Sequence, residues 1–298
     1  MTYQTRLLSR KRSSSVTSKI VELFGVPTTK RGTNWRAIVN SQTCPYTGHK
    51  CIKVRKSDPD VSIGTCTVTH SNKPIIICPI RLRDRHQIFL DCMHLLTLHE
   101  PGNEVHAIPE IAIPGGSLDF VLVSAREGNV KDFVGIELQT LDSTGTVWPE
   151  RQRFIKSVRL PAEHKDLDSA KPFGMNWKMT AKTILMQLHH KVETLEHLGK
   201  RLVLIVQDHL LDYMTREFSF AHLANPARLG DPMHFHSYSL IQAPASNRLD
   251  LFGRRSTDVA GIAMALGLQV SAHVDMDVIV AALEAKMSIK TRLMIGPK

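Results

Sequence analysis

The most constraining feature of the sequence is the order of its hydrophobic periods between residues 117 and 208. SLDFVLVSAR (117–126) alternates Leu118, Phe120 and Leu122 at the two-residue repeat of a strand. NVKDFVGIELQTLD (129–142) predicts a second strand, and the turn around Glu127-Gly128-Asn129 makes the two a hairpin. NWKMTAKTILMQLHHKVETLEHLGK (176–200) then predicts a long amphipathic helix ended by Gly199. RLVLIVQD (201–208) follows as a continuous apolar strand of the kind buried on both faces inside a sheet. Hairpin, crossover helix and interior strand together predict an α/β fold, with a mixed central sheet and flanking helices.

The rest of the chain is read around this unit. Residues 1–17 are basic and Ser-rich, and are expected to form a flexible arm. SKIVELFGVP (18–27) predicts a short helix with Ile20, Val21 and Phe24 on its apolar face. Residues 28–74 are rich in Lys, Thr, Gly, Pro and Cys and show no long periodic element, which suits a small region knotted by a metal. PIIICPI (74–80) predicts a buried strand, and 81–99 has helical spacing with Ile88, Phe89, Cys92, Leu95 and Leu96 on one face. Residues 105–116 read as extended chain broken by prolines, 234–243 as a strand, and 256–267 and 276–288 as helices. The expected organisation is an arm (1–17), a cysteine-rich metal-binding and recognition region (18–80) and a catalytic domain (81–298).

The formal net charge of +10 favours a polyanionic partner, nucleic acid above all. No apolar run reaches the roughly 20 residues that span a bilayer. The N-terminus has no apolar stretch after its charges, so no membrane association and a cytoplasmic location are expected. The five cysteines all fall between Cys44 and Cys92, and an odd number in such a chain argues against a disulfide framework. Cys44, Cys51, Cys66 and Cys78, with Gly48 and Gly64 as turn formers, are a candidate closed thiolate site for structural zinc or iron, with His49 as a substitute ligand. Cys92 sits on the apolar face of its helix and reads as core.

The hairpin carries the chemistry. Asp119 opens its first strand, while Glu137 and Gln139, two apart, share one face of the second, with Ile136 and Leu138 on the other. Two hard carboxylates brought side by side are a Mg²⁺ site. Such an ion neutralises phosphate charge and acidifies water, which is what phosphodiester hydrolysis needs. Gln139 can position water and phosphate only through hydrogen bonds, because an amide carries no charge. Electrostatic work then falls to the metal and to basic groups such as Lys131 or Lys156.

With Gly116-Ser117-Leu118-Asp119 and Glu137-Leu138-Gln139, the chain resembles the PD-(D/E)xK nucleases, in a variant where Gln replaces the usual Lys. The FGVP segment, the CP-containing cysteine region with SIGTC and IIICP, then GGSLDF and GIELQT, resemble the NotI-type family of type II restriction endonucleases over about residues 18–210. The resemblance implies a PD-(D/E)xK nuclease core, catalytic roles for Asp119, Glu137 and Gln139, and a Mg²⁺ cofactor. It also implies a structural iron on Cys44, Cys51, Cys66 and Cys78, and a homodimer that cuts both strands of a palindromic double-stranded DNA site. A repair or recombination nuclease, and a non-catalytic DNA-binding protein on a nuclease-like fold with a structural metal, are the competing readings.

Several other residues invite a role. Arg81, Arg83 and Arg85 read either as a phosphate-touching face or as a solvated run, and Lys30, Arg31, Trp35 and Arg36 as a DNA-facing surface. Arg10-Lys11-Arg12 suit nonspecific phosphate contacts. His234 and His236 share a strand face as a satisfied pair or a metal pair. Glu150 is a helix N-terminal carboxylate or an extra metal contact. In the long helix, Lys182, Met186 and His189 line one side and Gln187 and Lys191 another, and either side could reach the acids.

Overall fold

A computed structural model describes residues 18–167, 169, 172–220, 222–267 and 276–287, so the basic arm with Arg10-Lys11-Arg12 lies outside the described residues. The chain starts with β1 (Ile20–Leu23), β2 (Val26–Pro27), α1 (Trp35–Ser41), β3 (Val54–Arg55), β4 (Asp58–Ser62), β5 (Thr65–His70) and β6 (Lys73–Ile76). The expected helix at 18–27 is therefore a hairpin. Ile20, Val21, Glu22 and Leu23 are all buried, and Phe24 and Gly25 both take positive φ, as a tight two-residue hairpin turn requires. Apolar residues at i, i+1 and i+4 fit a buried strand as well as a helix face, so spacing alone misled here.

After β6 come 3-10 turns over Pro79–His86, kinked at Asp84 and Arg85, then α2 (Gln87–Cys92). Ile88, Phe89, Cys92, Leu95 and Leu96 do pack into one apolar cluster. Then follow β7 (Glu104–Ile113), β8 (Gly116–Arg126), β9 (Asn129–Gln139), β10 (Ser143–Thr144), α3 (Trp148–Ser157), α4 (His164–Leu167), β11 (Gly174–Met175), α5 (Trp177–His197) and β12 (Arg201–Gln207). The chain closes with α6 (Asp208–Glu217), β13 (Met233–Ile241), β14 (Arg248–Thr257), α7 (Val259–Ala265) and α8 (Met276–Glu284).

Six strands form the central sheet in the order β14-β13-β12-β9-β8-β7, and the small N-terminal sheet has the order β2-β1-β5-β6. β12 runs parallel to β9 and β13, and the remaining pairs are antiparallel, so the central sheet is mixed as expected. β7 is one of the two edge strands of this sheet, a position that tolerates Pro109. The crossover helix α5 covers one face of the sheet with Ala181, Ile184, Leu185, Leu188, Val192 and Leu195. The same cluster takes in Ile20, Leu23, Phe24, Trp35, Val68, Ile75 and Ile77, so the N-terminal sheet shares the core of the large one. Among the described residues, no helix is long and apolar enough to cross a membrane.

The arginine run divides three ways, which neither reading of it foresaw. Arg85 is exposed, Arg83 lies over the Phe120 ring at 5.0 Å, and Arg81 is buried. The Arg81 guanidinium holds Glu22 through Nε–Oε2 at 2.9 Å and Nη2–Oε1 at 3.1 Å, and donates to the Asn247 carbonyl at 3.2 Å. Asn247 Nδ2 donates to the same carboxylate at 3.0 Å. Trp35 likewise faces inward, edge-on to Phe154 with ring centroids 4.8 Å apart, so it adds nothing to a DNA-facing surface. Removing one partner of a buried ion pair strands the other charge, so Arg81→Ala should cost about 3–5 kcal/mol in urea unfolding, and a loss below about 1 kcal/mol would show that the pair ties nothing together.

Candidate active site

The β8–β9 ladder runs from Arg126↔Asn129 to Phe120↔Ile136 and stops there, while β9 stays paired with β12 as far as Gln139↔Val206. The strands part at Asp119. The Leu138 N–H, which a continuing ladder would have satisfied, instead donates to Asp119 Oδ2 at 2.8 Å. On β7 the register passes over the residue opposite Asp119, Glu110, whose φ of +55 is strained for a residue with a side chain. The opening also reorients β8. Leu118 packs in the core beneath α5, whereas Phe120 and Leu122 pack in the core on the other side, so the three do not share the single face that simple alternation predicts.

Glu137 and Gln139 share a face of β9, with Ile136 and Leu138 in the opposite core. Glu137 is buried, while Asp119 is exposed. Lys191 Nζ stands 2.8 Å from Glu137 Oε1, and both side chains are under 10% exposed. The ammonium and the carboxylate form a buried, charge-assisted contact. Burial pushes the Glu137 carboxyl up to about 7, Lys191 pulls it down, and the neighbouring Asp119 charge pushes it up again. Gln139 turns its amide to its own chain, Nε2 donating to the Thr140 carbonyl at 2.6 Å.

Lys191 comes from the buried stripe of α5, three residues after Leu188 and four before Leu195. A lysine at that position in an apolar stripe was the signal available in the sequence, and it settles which side of the helix reaches the acids. Gly115 and Gly116 let the helix come close, at positive φ. A Cβ on Gly115 would sit 3.0 Å from the His190 carbonyl oxygen, and one on Gly116 would sit 3.2 Å from Lys191 Cε. Lys131 does not serve the site. It lies on the first residues of β9, beside Arg126 and Glu127 at the other end of the hairpin. Lys156 is exposed in the last turn of α3. Glu150 is a helix N-terminal carboxylate, taking the Lys19 N–H at 3.0 Å and Arg153 Nη1 at 2.8 Å.

The donor set suits a hard divalent cation. Asp119, held on the Leu138 N–H, lies close enough to Glu137 for its charge to push that carboxyl up, so two hard oxygen donors stand side by side. The four cysteines are neighbours without closing into a compact ligand group. Cys44, Cys66 and Cys78 are buried and Cys51 is half-buried. Cys66 Sγ donates to the Gly64 carbonyl at 3.6 Å, and the interaction of the neighbouring Cys66 and Cys78 thiols pulls Cys78 down to about 6 and pushes Cys66 well up. Cys51 is raised first by burial and also by Cys78 and Cys44. Cys92 is core, its Sγ 3.6 Å from His236 Nδ1. His234 and His236 are buried and held neutral, down to about 4 and about 2 chiefly by burial. The compact ligand group among the described residues is His189, His190 and Glu193, on the partly exposed side of α5.

Glu137 links the site to stability. With its carboxyl raised to about 7, the stability it confers is complete below its unfolded pKa, roughly 4.3, and is lost as pH rises through 7. Metal-free protein should therefore lose stability relative to Glu137→Gln between pH 5 and pH 8, on the order of 3 kcal/mol by chemical denaturation. A parent-to-variant difference that stays flat across that range would contradict the burial of this carboxyl.

The family model described as restriction endonuclease NotI matches residues 31–229. No curated protein matches the chain. The matched stretch is well over half of the chain and holds Asp119, Glu137, Gln139, Lys191 and all five cysteines. The chain therefore belongs to the NotI family of restriction endonucleases, the site-specific deoxyribonucleases.

Proposed function

We propose that this protein is a type II restriction endonuclease that hydrolyses both strands of duplex DNA at one short sequence, using Mg²⁺ held by Asp119 and Glu137. The observation that carries the reading is Asp119 held on the Leu138 N–H, beside Glu137 and near enough to push its carboxyl up, where β8 leaves β9 at the carboxyl end of a strand paired in parallel with β12. A water oxygen bonds to phosphorus, one P–O ester bond breaks, and the leaving oxygen takes up a proton while the water gives one up. Bound Mg²⁺ supplies charge neutralisation and acidified water. The chain's own groups hold the geometry. Asp119 is anchored by the Leu138 N–H, Glu137 is fixed by burial, and Gln139, whose amide donates to the Thr140 carbonyl in the free protein, would turn to water or phosphate when DNA binds.

Cys44, Cys51, Cys66 and Cys78 are proposed to hold a structural iron or zinc that braces the recognition region, residues 18–80. A Cys78 thiol pulled down by its thiol neighbour, and three sulfurs close to it, support a thiolate site. A palindromic site read by a homodimer, in the cytoplasm, completes the reading.

Unmethylated plasmid incubated with purified protein and Mg²⁺ should give discrete bands. A smear would indicate a nuclease of another role, and intact DNA a binding protein. Asp119→Asn and Glu137→Gln should each lower cleavage on the order of 1000-fold or more, as loss of several kcal/mol of charge stabilisation implies, and undiminished cutting would refute the site. Elemental analysis should find about one iron or zinc per chain, lost in Cys51→Ser. A metal-free parent, or an unchanged content in the variant, would remove the cysteine site.

A further inference from the structure

Two carboxylates and a phosphodiester bring three negative charges into one place, and a single divalent cation offsets two of them. Gln139, on the same face as Glu137, is neutral. Lys191 is the basic side chain in contact with the pair, with Nζ 2.8 Å from Glu137 Oε1. Its burial is costly. It interrupts an apolar stripe running Ile184, Leu188, Leu195, and its stem lies against Gly116, where a side chain would press on Cε. A hydrophobic residue at 191 would complete the stripe, so packing alone favours a different residue.

We propose that Lys191, delivered by α5, is a catalytic residue of the nuclease site, its ammonium contacting the scissile phosphate beside Glu137 and supplying the positive charge that Gln139 cannot. The proposal rests on the nuclease reading above. Its present contact with Glu137 parks the ammonium at the edge of the cation site, within a side-chain movement of a phosphate bound between Asp119 and Gln139. The neighbouring His189, His190 and Glu193 form a separate, partly exposed group on α5, and Glu137 is the acidic group that Lys191 contacts on the sheet.

The test uses the full chain and a plasmid fragment carrying a site that the parent cuts. Parent protein must cleave in Mg²⁺ and Asp119→Asn must not. Failure there removes the nuclease reading, whereas a cutting parent isolates the question of Lys191. Lys191→Met should slow single-turnover cleavage on the order of 100- to 1000-fold, the usual loss for one donor aimed at transition-state charge. In Ca²⁺, as a divalent ion chosen to hold the complex without turnover, the slope of log K for the fragment against log salt should shrink by about 0.9, one phosphate contact. Adding Gln139→Lys to Lys191→Met restores a cation on the same face from β9 and should recover cleavage at least about tenfold. Lys191→Gln, which keeps a polar tip beside Glu137, is the second variant should Lys191→Met not fold, with the same loss expected. Cleavage within about threefold of the parent in either variant would overturn the proposal, as would an unchanged salt slope together with no rescue by Gln139→Lys. Loss of the folded state in both variants would make Lys191 a structural tie and overturn it equally.

Discussion

The carboxylate of Asp119 takes the Leu138 N–H that β8 leaves unpaired when it departs from β9, and the geometry of the site follows from that hydrogen bond. An unsatisfied N–H at this depth would cost about 1–3 kcal/mol, so the strands can separate here only because a side chain closes the gap. Separation does two things. It exposes Asp119 at the sheet's opening, and it leaves Glu137 buried one residue from Leu138. A buried carboxylate is tolerated in a folded protein where a cation answers it, and Lys191 supplies one from α5.

The helix that carries Lys191 is held by packing independent of the site. Ile184, Leu185, Leu188, Val192 and Leu195 are each at most 2% exposed, and burial of side chains of this size contributes about 1.5–3 kcal/mol apiece before entropy is counted. Gly135 lies under the same helix, hemmed in by Leu118, Leu195 and Leu202, and Gly115 and Gly116 admit His190 and Lys191 at close range. The apolar core thus sets the height of the ammonium over the carboxylates. Farther away, the buried Arg81–Glu22 pair and Gln207 fix the small N-terminal sheet to the large one. Gln207 takes the Ile76 N–H at 3.0 Å and donates to the Pro74 carbonyl at 2.7 Å. The cysteine region is thereby anchored to the carboxyl end of β12, beside β9, the strand that carries Glu137.

Elements with a strong period were legible in the sequence. The hairpin of β8 and β9, the crossover helix α5 and the apolar β12 stand where the spacing predicts, because each buries a face whose repeat matches its own geometry. The N-terminal hairpin was misread because a buried strand and a short helix place the same apolar residues, and only the two positive-φ residues at Phe24 and Gly25 separate them. β14 and α6 went unseen. Arg248–Thr257 is largely polar and half-exposed, and Asp208–Glu217 follows β12 without a break that would announce a new element. At the site, the convergence of Asp119 and Glu137 was readable from the hairpin, but the partner of Glu137 was not. Lys131 and Lys156 are near in sequence, whereas Lys191 is near only after a crossover, and its contact depends on the three-dimensional closeness that Gly115 and Gly116 permit.

The central claim is that Asp119 and Glu137 together hold a divalent cation. Anomalous diffraction from crystals of the protein grown with Mn²⁺ addresses it without reference to activity. The predicted result is an ion bonded to a carboxylate oxygen of each residue. An ion bound only at His189, His190 and Glu193, or no ion between the two acids, would contradict it.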